Sequence, residues 1–184
     1  MTNTFLHQLH SSPIASKIRT IALAIMLGLG AAFTVSSNAQ ATEEVNISDG
    51  YAVHGYDVVA YFTVGAPTRG SDQFTAEYQG ATYRFASADN RDRFAADPAK
   101  FAPQYGGYCA FGTAMGRKFD GDPTRWRIID GKLYLNLNKE VQQRWLTDTP
   151  GFIRGAEHNW PIIVSLTDGQ LASNPPAGLT LGAI

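Results

Sequence analysis

Few side chains in this sequence can do chemistry beyond acid–base work by carboxylates. There is one cysteine, Cys109, in Tyr105-Gly106-Gly107-Tyr108-Cys109-Ala110. The two glycines let the backbone approach a neighbour closely or take positive φ. A helix starting after Gly107 would put the thiol near its N-terminus, which lowers a thiol pKa and favours thiolate. A thiolate is both a nucleophile and a soft-metal ligand. The competing reading is a small buried hydrophobe, since free cysteine is among the most buried residue types. His54 stands in His54-Gly55-Tyr56-Asp57. The carboxylate three residues on can orient its ring, and the competing reading is an exposed loop histidine. Met115 can give a thioether to copper, or simply pack. His158 follows Arg154 by one helical turn and reads as part of a solvated face.

Two sharp chemistries follow. His54, Cys109 and Met115 offer imidazole, thiolate and thioether, a donor set suited to a soft metal such as copper. Alternatively, Cys109 as nucleophile, His54 as base and Asp57 as orienter would make a cysteine-dependent enzyme. Both need the fold to bring His54 to Cys109. A protein-interaction module needs neither. A single cysteine excludes an intramolecular disulfide framework and every zinc or iron–sulfur site built from cysteines alone. CxxC, HExxH, GxSxG and Walker motifs are absent. Fifteen basic residues face 16 acidic ones, and charged residues make up 17% of the chain. That is below the usual share of about 25% and gives no basic field, which argues against a nucleic-acid partner.

The elements that must hold these residues begin after a leader. Lys17 and Arg19 precede an apolar stretch at residues 21–35. Two small-residue patterns follow, Ser37-Asn38-Ala39 and Ala39-Gln40-Ala41. This is the layout of a cleavable signal peptide over residues 1–41, short and glycine-broken for a spanning helix; the competing reading is an uncleaved N-terminal anchor, since Thr20 to Thr42 carries no charge. The expected location is periplasmic or secreted, with no membrane contact after cleavage. Cleavage after Ala39 or Ala41 removes two basic residues and no acidic ones, leaving a net charge of −3. His7 and His10 leave with the leader.

Residues 42–50 read as a disordered lead-in. Asn46-Ile47-Ser48 is a formal glycosylation sequon, read as a chance match. The apolar run at 58–62 predicts a strand, and residues 74–86 a hairpin turning at Gln79-Gly80. Ser87 can cap a helix over about 88–96, and Asp97-Pro98 can start another short one. Trp126 and Ile128, then Asp130-Gly131, then Leu133, Leu135 and Leu137 predict a second hairpin. Asn138 can cap a helix with Val141, Trp145 and Leu146 on one face. Thr149-Pro150 opens a last helix with Phe152, Ile153, Ala156 and Trp160 inward. The whole predicts a small single α+β domain over 51–163, two hairpins packed with short helices. Residues 164–184, rich in proline and glycine, read as a flexible tail.

Several segments together resemble the YHS-domain family in its secreted form. They are Gly55-Tyr56-Asp57-Val58-Val59-Ala60-Tyr61-Phe62, Tyr78 through Ser87, Phe94-Ala95-Ala96-Asp97-Pro98, and Tyr105 through Cys109. The resemblance implies a non-enzymatic binding module, with related domains pointing to metal. Their pattern resembles Asp-Pro-Val-Cys and Phe-Cys-Ser-x-x-Cys. Laid on this chain, its three thiols fall on Ala60, Ala86 and Asn90, so the thiol trio itself is missing.

Overall fold

Each expected hairpin closes on a pair of residues in the left-handed region. The computed structural model describes residues 44–180. The expected leader lies outside those residues, as do residues 181–184. Strands β1 (Ile47–Ser48) and β2 (Tyr51–Ala52) form a small antiparallel pair. Strands β3 (Ser71–Tyr78) and β4 (Ala81–Phe85) pair antiparallel, with Ala76 opposite Tyr83. Gln79 and Gly80 take φ of 51° and 73°, the geometry whose twist matches a two-residue hairpin. Strands β5 (Asp122–Ile129) and β6 (Lys132–Asn136) repeat this across Asp130 and Gly131, at 50° and 72°. Period-two alternation on β4 buries Ala81, Tyr83 and Phe85, and β6 buries Leu133 and Leu135.

Short capped helices close over these hairpins. Helix α2 (Ala88–Ala96) begins where Ser87 Oγ accepts the Asn90 N–H, with Asp89 in its first turn. Its buried Phe94 stacks against Tyr78, Tyr83 and Phe85 at centroid distances of 5.9, 4.8 and 5.1 Å. Helix α3 (Pro98–Phe101) starts on Asp97 with proline in its first turn. After a short 3-10 segment at Gln104–Gly107 comes α4 (Ala110–Ala114), with Cys109 at its N-cap. Asn138 caps α5 (Lys139–Trp145), and Asp148 caps α6 (Thr149–Ile163). The described residues lie within one compact unit of α+β architecture, as expected. Among them no helix is long and apolar enough to cross a membrane.

Four expectations need correction. Residues 58–62 are not a strand but a turn leading into helix α1 (Ala60–Thr63). Val58, Val59, Ala60 and Tyr61 are all buried, so the run has no polar face to reveal its period. In α5 the buried residues are Trp145 and Gln142, whereas Leu146 is 43% exposed. Gln142 points inward because its Nε2 donates to the Trp126 carbonyl. The lead-in is packed from Glu44 onward. Val45 is 3% exposed in the core, and the Asn46 N–H donates to the Gly106 carbonyl.

The fourth correction is the tail, which is built on a few specific contacts through residue 180. Helix α7 (Asp168–Ser173) has a reciprocal capping box between Thr167 and Gln170, and it buries Leu171. The Arg117 guanidinium binds the Asp168 carboxylate with two hydrogen bonds. Lys118, buried, gives its ammonium to the carbonyls of Val164 and Leu166 just past α6. A cation there complements the helix dipole and occupies orphan carbonyls. The buried Asn159 amide brackets Thr180, accepting its N–H and donating to its carbonyl.

The Arg117 hydrogen bonds hold the Asp168 carboxyl below its ordinary value of 3.8. A depressed folded pKa contributes stability that is full above the unfolded value and lost as pH falls through the folded one. The docking of α7 is therefore expected to be intact at neutral pH and to loosen only below about pH 4. Hydrogen exchange of the α7 amides against pH reads this. In Asp168→Asn the amides should exchange faster at pH 7, and that acid-side step should disappear.

Candidate functional site

The positions of the missing thiols do come together, around the carboxylate of Asp57. Asp57 is 0% exposed. Its Oδ1 accepts the N–H groups of Val59 (2.9 Å) and Ala60 (3.1 Å). Its Oδ2 accepts the Ala86 N–H (2.9 Å) and the Asn90 side-chain amide (2.7 Å). Ala60, Ala86 and Asn90 thus meet on one group, as a three-ligand site would require. Their chemistry is reversed, however. Each aims an N–H inward, where a metal would need lone pairs. The carboxylate has a donor on every principal lone-pair direction, so the residues present do not fit a metal there. Asp57 is a backbone anchor and not the expected orienter of His54.

His54 finds its partner 66 residues away. Its Nε2 lies 2.8 Å from Asp120 Oδ1. The pair is accessible, with side-chain exposures of 25% and 50%. Asn46 Nδ2 also donates to Asp120 Oδ1, and it reaches the Gly107 carbonyl at 3.4 Å. The formal sequon asparagine is thereby committed to an internal network. Val53, His54 and Gly55 lie at φ of 51°, 52° and 72°. Tyr105, Gly106 and Gly107 form a second left-handed stretch at 54°, 60° and 85°. Asn46 joins the two, because its backbone N–H also meets the Gly106 carbonyl.

Cys109 sits where the sequence reading put it, at a helix N-terminus, and its acidity goes the other way. The residue is 0% exposed. Its Sγ accepts the Gly112 N–H at 3.3 Å, and the thiol faces Asn136 Oδ1 at 3.9 Å. Burial pushes the thiol pKa up, and the Asp120 carboxylate pushes it further. Hydrogen bonds from the Gly112, Leu137 and Phe111 amides oppose this without reversing it. Helix α4 has only five residues, so its dipole is too small to win. His54 and Cys109 are related through Asp120 and share no direct hydrogen bond. Met115 closes the other end of α4 and packs with the cluster of Tyr105, Tyr134, Trp145 and Ala156. The three expected metal donors therefore engage three different sets of neighbours. Among the described residues no group of three or more His, Cys, Asp or Glu is placed to hold a metal ion. Asp120 and Asn136 carry the geometry here, and sequence reasoning missed both. Asp120 stands just before β5 and Asn136 is the last residue of β6, and in sequence neither differs from other polar residues at strand ends.

Two outcomes check this arrangement. Asp57→Ala removes the acceptor shared by four donors, two of them buried, and should lower unfolding free energy on the order of 3 kcal/mol in urea melts. Asn90→Ala removes one donor and should cost about 1–2 kcal/mol. Iodoacetamide should leave Cys109 unmodified in the folded protein near neutral pH. Its apparent titration should lie above the ordinary thiol value of 9.0.

Comparison with known proteins agrees with part of the sequence resemblance. The model of the YHS domain matches residues 59–105. That span holds Ala60, Ala86 and Asn90, the β3–β4 hairpin, α2 and α3. It leaves out His54, Asp57, Cys109 and Met115. No curated protein and no solved structure matches the chain. The convergence of Ala60, Ala86 and Asn90 and the family match describe the same segment: the chain carries a YHS domain at residues 59–105.

Proposed function

We propose that this protein is an exported, non-enzymatic binding module. One observation carries the non-enzymatic part: the sole thiol is fully buried, with Gly112 and Asn136 as its partners and no imidazole among them. A nucleophilic cysteine needs a base beside it or a cationic surrounding that stabilises thiolate. Here burial holds the proton on sulfur, the Asp120 carboxylate adds to it, and the imidazole of His54 is engaged by Asp120 instead of the thiol. The leader-like pattern at residues 1–41 supports export. The YHS segment supports a binding role.

Within that reading, metal contact belongs to His54. With Nε2 on Asp120, its Nδ1 has no partner among the described residues. A ligating histidine whose other nitrogen is held by a carboxylate is the usual arrangement around bound metals. Imidazole and carboxylate suit Cu(II) better than Cu(I), which prefers thiolate and thioether. Mature protein titrated with Cu(II) should bind through His54. Binding should be lost in His54→Ala, kept in Cys109→Ala and in Met115→Leu, and show no thiolate-to-copper absorption band. Dependence on Cys109 would sink this reading and restore the soft-metal site. Export is checked separately, by finding a mature N-terminus after Ala39 or Ala41 in the exported fraction.

A further inference from the structure

A cleft of about 350 Å³ opens between α4, α6 and the chain near Thr180, outside the YHS segment. Ligand cavities run to about 300–1,000 Å³, so it has room for a single compact ring or short chain. Two α6 glycines, Gly151 and Gly155, line it; at Gly155 an added Cβ would meet only Ala114, at 3.7 Å, whereas the place of one at Gly151 is taken by the Asp148 carboxylate. Met115 and Phe152 supply its apolar surface. Phe152 is held by Phe111, centroid to centroid 5.0 Å, with the rings edge to face.

Among the described residues Arg154 and His158 are the only ionisable side chains that line this cleft. Among the described residues Arg154 has no carboxylate partner, unlike Arg84, Arg91, Arg93 and Arg117. His158 uses Nε2 on the Gly178 carbonyl at 2.9 Å, which fixes the ring at the cleft edge. An apolar floor with an unpaired guanidinium at its rim is complementary to one class of molecule. That class has a compact apolar body and a single acidic group, which planar guanidinium binds with two parallel hydrogen bonds.

We propose that this cleft binds small monocarboxylates, the carboxylate on Arg154 and the apolar body against Met115 and Phe152. Neither His54 nor its partners Asp120 and Asn46 line this cleft, so the inference stands or falls independently of the His54 reading.

Benzoate and its neutral isostere benzamide test it, using the mature chain with methyl-labelled methionine. Benzoate should shift the Met115 methyl resonance saturably at one equivalent, with Kd on the order of 1 mM for a ligand this small. Benzamide should bind at least tenfold more weakly. Arg154→Gln should lose at least tenfold for benzoate and leave benzamide unchanged, and Arg154→Lys should recover part of the loss. Arg154 is exposed, so these variants should fold normally. Three results would overturn the proposal: no Met115 shift at about 10 mM benzoate, equal affinity for benzamide, or binding seen only in a chain ending at Thr180. The last would mean that residues 181–184 occupy the cleft.

Discussion

The described fold depends on how one buried carboxylate is satisfied. An unpaired charge out of water is among the most costly things a small domain can hold. Asp57 meets that cost with four hydrogen bonds drawn from three places: the start of α1, the end of β4 and the first turn of α2. Because all four must form together, the carboxylate fixes α1 and α2 relative to the hairpin. Phe94 then sits at the required height on α2 to close over Tyr83 and Phe85. Hydrophobic burial supplies most of the stabilisation, being proportional to area and indifferent to direction. The directional hydrogen bonds select which packing is reached.

The same anchor explains why position and chemistry part company in the YHS segment. The fold keeps Ala60, Ala86 and Asn90 around one point, so the convergence is a property of the backbone. What occupies that point is set by the Asp57 side chain, which takes two backbone N–H groups and the Asn90 amide. Three inward N–H donors around a carboxylate and three inward lone pairs around a cation are opposite solutions to one geometric problem. A likeness of fold therefore transfers the place of a site without its ligand.

Legibility in the sequence followed the range of the interactions. Gln79-Gly80 and Asp130-Gly131 declare their turns locally, because few residue pairs accept two successive positive φ values. Ser87 and Asn138 declare helix starts three residues ahead. Residues 58–62 misled because total burial erases periodicity. The tail misled because proline and glycine content says nothing of Arg117 or Lys118, which lie some 50 residues away and hold it. For Cys109 the location was readable and the acidity was not. A helix start can be seen in a window of ten residues, whereas burial by β6 and the nearness of Asp120 come from the whole fold. His54 failed in the same way: Asp57 was near in sequence, and Asp120 was near in space.

Strain gives the His54–Asp120 pair a meaning beyond a surface ion pair, which alone contributes about 0–1 kcal/mol. Val53 is β-branched and His54 is not glycine, yet both stand in the left-handed region. Each such residue costs of the order of 1–3 kcal/mol and persists only where its surroundings over-determine it. Val53 is over-determined by burial in the core, and Gly107 opposite it has no side chain to compete for that space. The Asn46 amide ties this stretch to the second one through Asp120 and the glycine carbonyls. Nothing in the packing of the core requires an imidazole at the apex of that structure. The backbone is bent at a cost to present a partly exposed His54 with one nitrogen committed and the other open. That is the physical reason to look for ligand contact at His54 before the buried thiol.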